Sequence, residues 1–318
     1  GSFDLNDSKC GAIVMEPLQG FIDLQVNGYA GIDFNSDDFT RDNIAQVSKR
    51  LRSDGVTKMM PTIITASPAL MAQRIKHLVE MLDCEPTFAS LVHGIHIEGP
   101  FISDEPGYIG AHPRADAIPA AIDVAASLLD AGQGNIKLVT LAPERDHKHR
   151  VTQWLTKQGV VVAGGHSNAS LDTLKGAIDS GMRLFTHLGN GCPPTLPRHD
   201  NIIQRVLSLR DKLYISFIAD GHHIPPFALK NYLSMMPSDK VIIVTDAISA
   251  AGLGPGHYRL GDQIVEVDTS GAAWSADRTH FAGSAATMPR MVEVLRAIGI
   301  DDHRILQWTT QNPAKLFA

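Results

Sequence analysis

Strand-length runs of β-branched and apolar residues alternate with helix-length amphipathic stretches along almost the whole of this 318-residue chain. The runs are Phe21–Val26, Val56–Thr62, Gly94–Ile97, Ile136–Leu141, Val160–Ala163, Arg183–Thr186, Tyr214–Ala219 and Val241–Thr245. Between them lie helix candidates such as Thr40–Ser53, Ala69–Asp83, Ala120–Ala131, His147–Gln158, Leu171–Ser180 and Pro226–Met236. A strand covered on both faces reads as an unbroken apolar run, and strands alternating with helices build a parallel sheet. Eight such units predict an α/β fold, a closed (β/α)8 TIM-type barrel in preference to an open doubly wound sheet. Tyr258–Val267, set among Gly256, Gly261 and Gly271, reads as a hairpin inserted after the eighth run, and Pro289–Ala297 and His303–Thr310 as closing helices. The expected division is an N-terminal extension over 1–20 and a barrel over 21–318, with the hairpin insertion around 256–272.

Charge narrows the partners. With 28 Lys and Arg against 34 Asp and Glu the net charge is −6, and no basic block exists to grip a nucleic acid or an anionic membrane. No apolar run approaches the roughly 18 residues of a membrane span. The opening residues GSFDLNDSKCGAIV lack the basic start and apolar core of a signal peptide, so a cytoplasmic protein is expected. Cys10, Cys84 and Cys192 are too few and too scattered for a disulfide framework or a thiolate zinc site, which suits a reducing compartment.

Polar residues gather just past the apolar runs. Five runs end in HIEGP (Glu98), AGGHSN (His166), FTHLGN (His187), IADGHH (Asp220, His222, His223) and VTDAIS (Asp246). One such residue alone is most often a loop hydrogen bonder or a helix cap. Five in the same registry are different, because a (β/α)8 barrel brings the C-terminal ends of its strands together at one face. One carboxylate with two imidazoles suits a catalytic divalent ion that keeps a fourth position for water, and Asp246 is then the natural general base. His77, His147, His149, His257, His280 and His303 fall outside this registry and read as solvated. His93 and His96 flank a strand residue and read as hydrogen-bonded core groups.

The motifs GFIDLQVNG, HIEGPF with GAH downstream, AGGHSNA, THLGNG, ADGHH, VTDA and AGSAATM resemble the N-acetylglucosamine-6-phosphate deacetylases of the amidohydrolase superfamily, from Phe21 to Phe317. The resemblance implies hydrolysis of the acetamide of an amino sugar phosphate. It implies one divalent ion on Glu98, His166 and His187, zinc ahead of iron or another divalent metal, and no organic cofactor. The superfamily's usual H-x-H pair for a second ion is replaced by Gln25 and Asn27, for which floor hydrogen bonding and site shaping both stay open. Asp246 becomes the acid/base, His112 the group at the acetamide carbonyl and His223 a substrate contact. Asn190 and Gly191 match the phosphate end, and Arg198 matches an arginine that reaches the neighbouring subunit's site, which implies a homodimer. Gly283 and Ser284 of AGSAATM join the substrate-binding set.

Two departures stand out. The family usually reads HLYNAM where this chain reads HLGNGCPP, which leaves open a galacto isomer or another N-acetylated sugar; a sugar-phosphate-binding barrel without catalysis is a further alternative. Relatives also carry a small β-sandwich assembled from both chain ends. Only 22 residues precede Asp23, so that sandwich is expected to be reduced or absent, with 1–20 a candidate remnant.

Overall fold

Ile97 pairs with Ile63 on one side and Val139 on the other, and this parallel pairing repeats around the molecule. The computed structural model describes residues 17–318. Cys10 and most of the extension expected over 1–20 lie outside the described residues. The paired strands follow chain order: β1 (Phe21–Val26), β2 (Val56–Ile64), β3 (Ile95–Glu98), β4 (Ile136–Leu141), β5 (Val161–Gly164), β6 (Leu184–Phe185), β7 (Tyr214–Ile218) and β8 (Val241–Val244). The result is the (β/α)8 barrel, with strand residues buried on both faces as their unbroken apolar runs require.

Closure between β1 and β8 combines side-chain and backbone hydrogen bonds. The Asp23 carboxylate accepts the Thr245 N–H at 3.2 Å and the Thr245 hydroxyl at 2.5 Å. The Ala247 carbonyl accepts the N–H groups of Asn27 at 2.7 Å and Gly28 at 3.2 Å. Burial pushes the Asp23 carboxyl up to about 7, against the pull of these donors. Inside the barrel, His96 fills the core role read from its sequence. Its Nδ1–H donates to the Leu24 carbonyl at 3.0 Å, so Nε2 accepts from the Thr140 hydroxyl at 2.7 Å, and burial holds the ring down to about 4 and hence neutral.

Helices form where caps and apolar spacing agree. Thr40 caps α1 (Arg41–Ser53) by accepting the Asn43 N–H, Asn43 returns the bond, and Ile44, Val47 and Leu51 fall on the core face. Then come α2 (Pro68–Cys84), α3 (Pro86–Leu91), α4 (Ile122–Gly132), α5 (Arg150–Lys157), α6 (Leu171–Asp179), α7 (Ile202–Ser208), α8 (Pro226–Met235), α9 (Met288–Ala297), α10 (Asp302–Leu306) and α11 (Asn312–Leu316). The helix expected from His147 begins at Arg150, because the Asp146 carboxylate accepts the N–H groups of Val151 and Thr152 and leaves Lys148 and His149 in left-handed turns. The helix expected over His303–Thr310 is α10 running into a π turn over Gln307–Gln311, with Trp308 buried at the turn and α11 following beyond the expected end. The short helices α3 and α7 had no separate signal in the apolar pattern.

After β8 the chain folds into an antiparallel hairpin, β9 (Gly256–Leu260) and β10 (Gln263–Val267), to which β11 (Ala273–Trp274) adds. Leu260, Val265 and Ala273 pack with Ile64 and Ile248 in a small second core. That contact fixes Trp274 and Phe281 above the C-terminal ends of the barrel strands.

Candidate active site

Glu98 is the last residue of β3, while His166, His187, Asp220 and Asp246 each stand two residues past the ends of β5, β6, β7 and β8. Three of them sit on left-handed backbone, with φ of 49° at His166, 30° at His187 and 50° at Asp246. That conformation costs a non-glycine residue about 1–3 kcal/mol and persists only where surrounding contacts impose it. Here the Ser103 N–H donates to the His166 carbonyl at 3.0 Å, the Ser284 N–H to the Asp246 carbonyl at 2.8 Å, and the His187 N–H to the Ser216 hydroxyl at 2.8 Å. Glycines make room for the His166 ring. A Cβ on Gly110 or Gly191, both at positive φ, would lie 3.0 or 2.9 Å from its atoms.

Glu98 is the hub. Its Oε2 lies 3.1 Å from His187 Nε2 and 3.7 Å from His166 Nε2, and accepts the Gln25 side-chain N–H at 2.6 Å. His166 Nδ1–H donates to the Tyr108 carbonyl at 2.8 Å, which leaves Nε2 with its lone pair towards Glu98. One carboxylate oxygen and two imidazole nitrogens thus lie within 4.8 Å of one another, all buried. Burial pushes the Glu98 carboxyl up, but the three imidazoles gathered around it, His112, His166 and His187, outweigh it and hold it well below the usual range. A buried carboxylate facing a lone-pair nitrogen, with a second imidazole whose Nδ1 has no partner among the described residues, is a donor set that fits a divalent ion.

The rest of the cavity, about 380 Å³, brings together most of the residues read from the sequence. Asp246 stands on its wall, and burial, then the charge of Glu98, push its carboxyl up to about 6. Asn27 donates its side-chain N–H to Asp246 Oδ1 at 2.7 Å. His112 Nδ1 accepts the Thr65 N–H at 3.3 Å, so its Nε2–H is the group that donates to Glu98 Oε1 at 2.9 Å. His223, Asn190, Gly191 and Gly283 line the cavity. Ser284 does not; it is buried, its hydroxyl accepts the Ala286 N–H, and its backbone supports Asp246. Arg198 is exposed and outside this lining. His280, read as solvated, instead lines the cavity, because the hairpin turns its loop inward beside Trp274 and Phe281. His77 and His149 also depart from solvation: His77 Nε2 bonds the Phe39 carbonyl at 2.9 Å, and the His149 ring packs on Gly176. Nothing in the hairpin's local composition marked these aromatic groups as site residues.

No protein-family model matches the chain. The N-acetylglucosamine-6-phosphate deacetylase of Bos taurus is 36% identical over 315 residues, which cover 96% of this chain and 75% of that protein. The chain belongs to the N-acetylglucosamine-6-phosphate deacetylase family. The Bacillus subtilis deacetylase of the same name is 32% identical over 252 residues, covering 79% of this chain and 62% of that protein. A mutant N-acetyl-D-glucosamine-6-phosphate deacetylase from Mycobacterium smegmatis, solved in complex with N-acetyl-D-glucosamine-6-phosphate, superimposes with a TM-score of 0.85 at 29% identity, covering 94% of this chain and 77% of the other. The chain shares the barrel of that solved deacetylase. Among the described residues, no helix is long and apolar enough to cross a membrane.

Proposed function

We propose that this chain hydrolyses the acetamide of N-acetylglucosamine 6-phosphate to glucosamine 6-phosphate and acetate, with one divalent ion, zinc by preference, held by Glu98, His166 and His187. The observation that carries the reading is the convergence of those three ligands with Asp246 in one cavity. When bound, the ion lowers the pKa of water towards about 7 and polarises a carbonyl as a Lewis acid.

Asp246, held by Asn27, takes the proton of the attacking water and returns one to the departing amine. Its raised pKa suits both tasks, since a base near neutrality releases the proton as readily as it collects it. His112, which lines the cavity beside Glu98, is the group we assign to oxygen charge developing on the acetamide carbonyl. His223 and Gly283 contact the sugar, with Ser284 holding the backbone behind them. Asn190, whose side-chain nitrogen has no partner among the described residues, and the Gly191 N–H serve the phosphate. Among the described residues no Lys or Arg lines the cavity, and we assign the phosphate's cation to Arg198 of the neighbouring subunit in a homodimer. The chain works in the cytoplasm on this reading.

Elemental analysis together with acetate release from N-acetylglucosamine 6-phosphate, its dephosphorylated form and its galacto isomer tests the proposal. About one ion per chain with phosphate-dependent release supports it. Metal-loaded protein that releases acetate from none of the three overturns it.

A further inference from the structure

Asp220 was legible as one of the polar strand ends but has no role in the site described so far. Its carboxylate is 3% exposed and fully engaged. Oδ1 accepts the backbone N–H groups of His222 and His223, both at 2.9 Å, and Oδ2 accepts His223 Nδ1–H at 2.6 Å. The His223 side chain is 5% exposed and its ring lies 5.0 Å from Phe281. With Nδ1 committed, Nε2 is the ring nitrogen left for the cavity, and among the described residues nothing bonds it.

We propose that Asp220 is a positioning residue that acts through His223, holding the imidazole in one orientation as a cation so that Nε2–H is presented to an oxygen of the bound sugar. The inference rests on the deacetylase reading above. Among the described residues, two carboxylates, Glu98 and Asp246, line the cavity and no Lys or Arg does, so a charged His223 offers the substrate a fixed organic cation outside the ligand cluster. The charged groups facing the ring are Asp220 and, across the cavity, Asp246. Burial disfavours the charged ring, and the Asp220 carboxylate more than offsets it, leaving His223 above the usual histidine range. Burial likewise pushes Asp220 up, but the charge and hydrogen bond of His223 bring it down to about 2. An imidazole held this way cannot turn over to exchange its nitrogens, which fixes donor geometry before substrate arrives.

Asp220→Asn is the informative variant, because an amide oxygen still accepts the two backbone N–H groups while the charge beside Nδ1 is lost. The expected result, in metal-loaded enzyme, is a KM raised about ten- to hundredfold, the scale of a hydrogen bond to a charged group. Metal content stays unchanged and kcat falls by less than KM rises. Asp220→Asn added to His223→Asn should cost nothing further, since both remove the same contact. Full additivity would mean that Asp220 only stabilises the loop and would overturn the proposal. Proton NMR of the wild-type protein reads the contact independently of turnover: a strongly deshielded Nδ1–H that vanishes in His223→Asn is expected, and its absence overturns the proposal even if no substrate is hydrolysed. Wild-type protein that shows the resonance but releases no acetate retires the deacetylase reading instead.

Discussion

Asn27 donates its side-chain amide to Asp246 at 2.7 Å, and Gln25, two residues earlier on β1, does the same for Glu98 at 2.6 Å. The two amides therefore each serve one of the two carboxylates that line the cavity. Where two imidazoles at these positions would add ligands, two amides add donors, which satisfy the carboxylates and leave Glu98, His166 and His187 as the candidate ligand set. Both side chains are buried, so the pairing is enforced by packing. Of the two readings left open by the sequence, this geometry favours a part in shaping the site.

Asn27→Leu should move the pH profile. The Asn27 hydrogen bond lowers the Asp246 pKa, so removing it raises that pKa further. A base works only when ionised, and the acid limb of kcat/KM should shift to higher pH, with the loss greatest at low pH. A limb that stays in place would show that Asn27 does not hold the base.

Asp246→Asn should keep the ion and much of the substrate affinity while lowering kcat by at least about 10²-fold, the scale of a lost acid/base group. Steady-state kinetics with metal analysis on one preparation checks this. Near-normal turnover would remove Asp246 from the role.

His166→Ala should lose the ion itself, because two ligands remain where three converge. Elemental analysis after gel filtration reads the outcome. Stoichiometric retention would sink the ligand assignment.

The barrel was legible in the sequence because both-face burial writes strands as unbroken apolar runs, and Glu98, His166, His187 and Asp246 because they follow those runs in fixed registry. The contributions of His280, Trp274 and Phe281 were not, since the hairpin that carries them is placed by packing of Leu260 and Val265 on Ile64 and Ile248, a contact between segments distant in sequence. Cap chemistry accounts for the misplaced start of α5: Asp146 takes two N–H groups that an apolar periodicity cannot see. Arg198 shows the opposite limit: it lies outside the cavity lining of its own chain, and its motif match takes a role only through the second subunit of the proposed homodimer.

Mixing Arg198→Ala with Asp246→Asn chains tests that second subunit. If each Arg198 serves its neighbour, every mixed dimer holds one site with both lesions and one with neither, and random pairing should restore about a quarter of wild-type sites. Activity no greater than the sum of the separate variants would place Arg198 in its own chain's site or in none.

Asp23→Asn should change how stability depends on pH. The Asp23 carboxyl titrates near 7 when folded and near the usual 3.8 when unfolded, so between those values the folded chain holds the extra proton. Wild-type stability therefore contains a component that is full below the unfolded value and is lost as pH rises through about 7, on the order of 4 kcal/mol across the window. Denaturant titrations at pH 5 and pH 8 should show a difference between wild type and variant that shrinks or reverses with rising pH. A difference independent of pH would mean that Asp23 is ionised in both states.

The left-handed backbone at His166, His187 and Asp246 sets a limit on hardening this protein against heat. A common route to a more durable fold is to relieve such strain with glycine or asparagine, and here the route passes through the proposed ligands and base. Durability and turnover thus compete for the same three positions. Gains in heat resistance have to be sought away from the cavity, in the caps, loops and outer helix faces, where the chain has nothing to lose by relaxing.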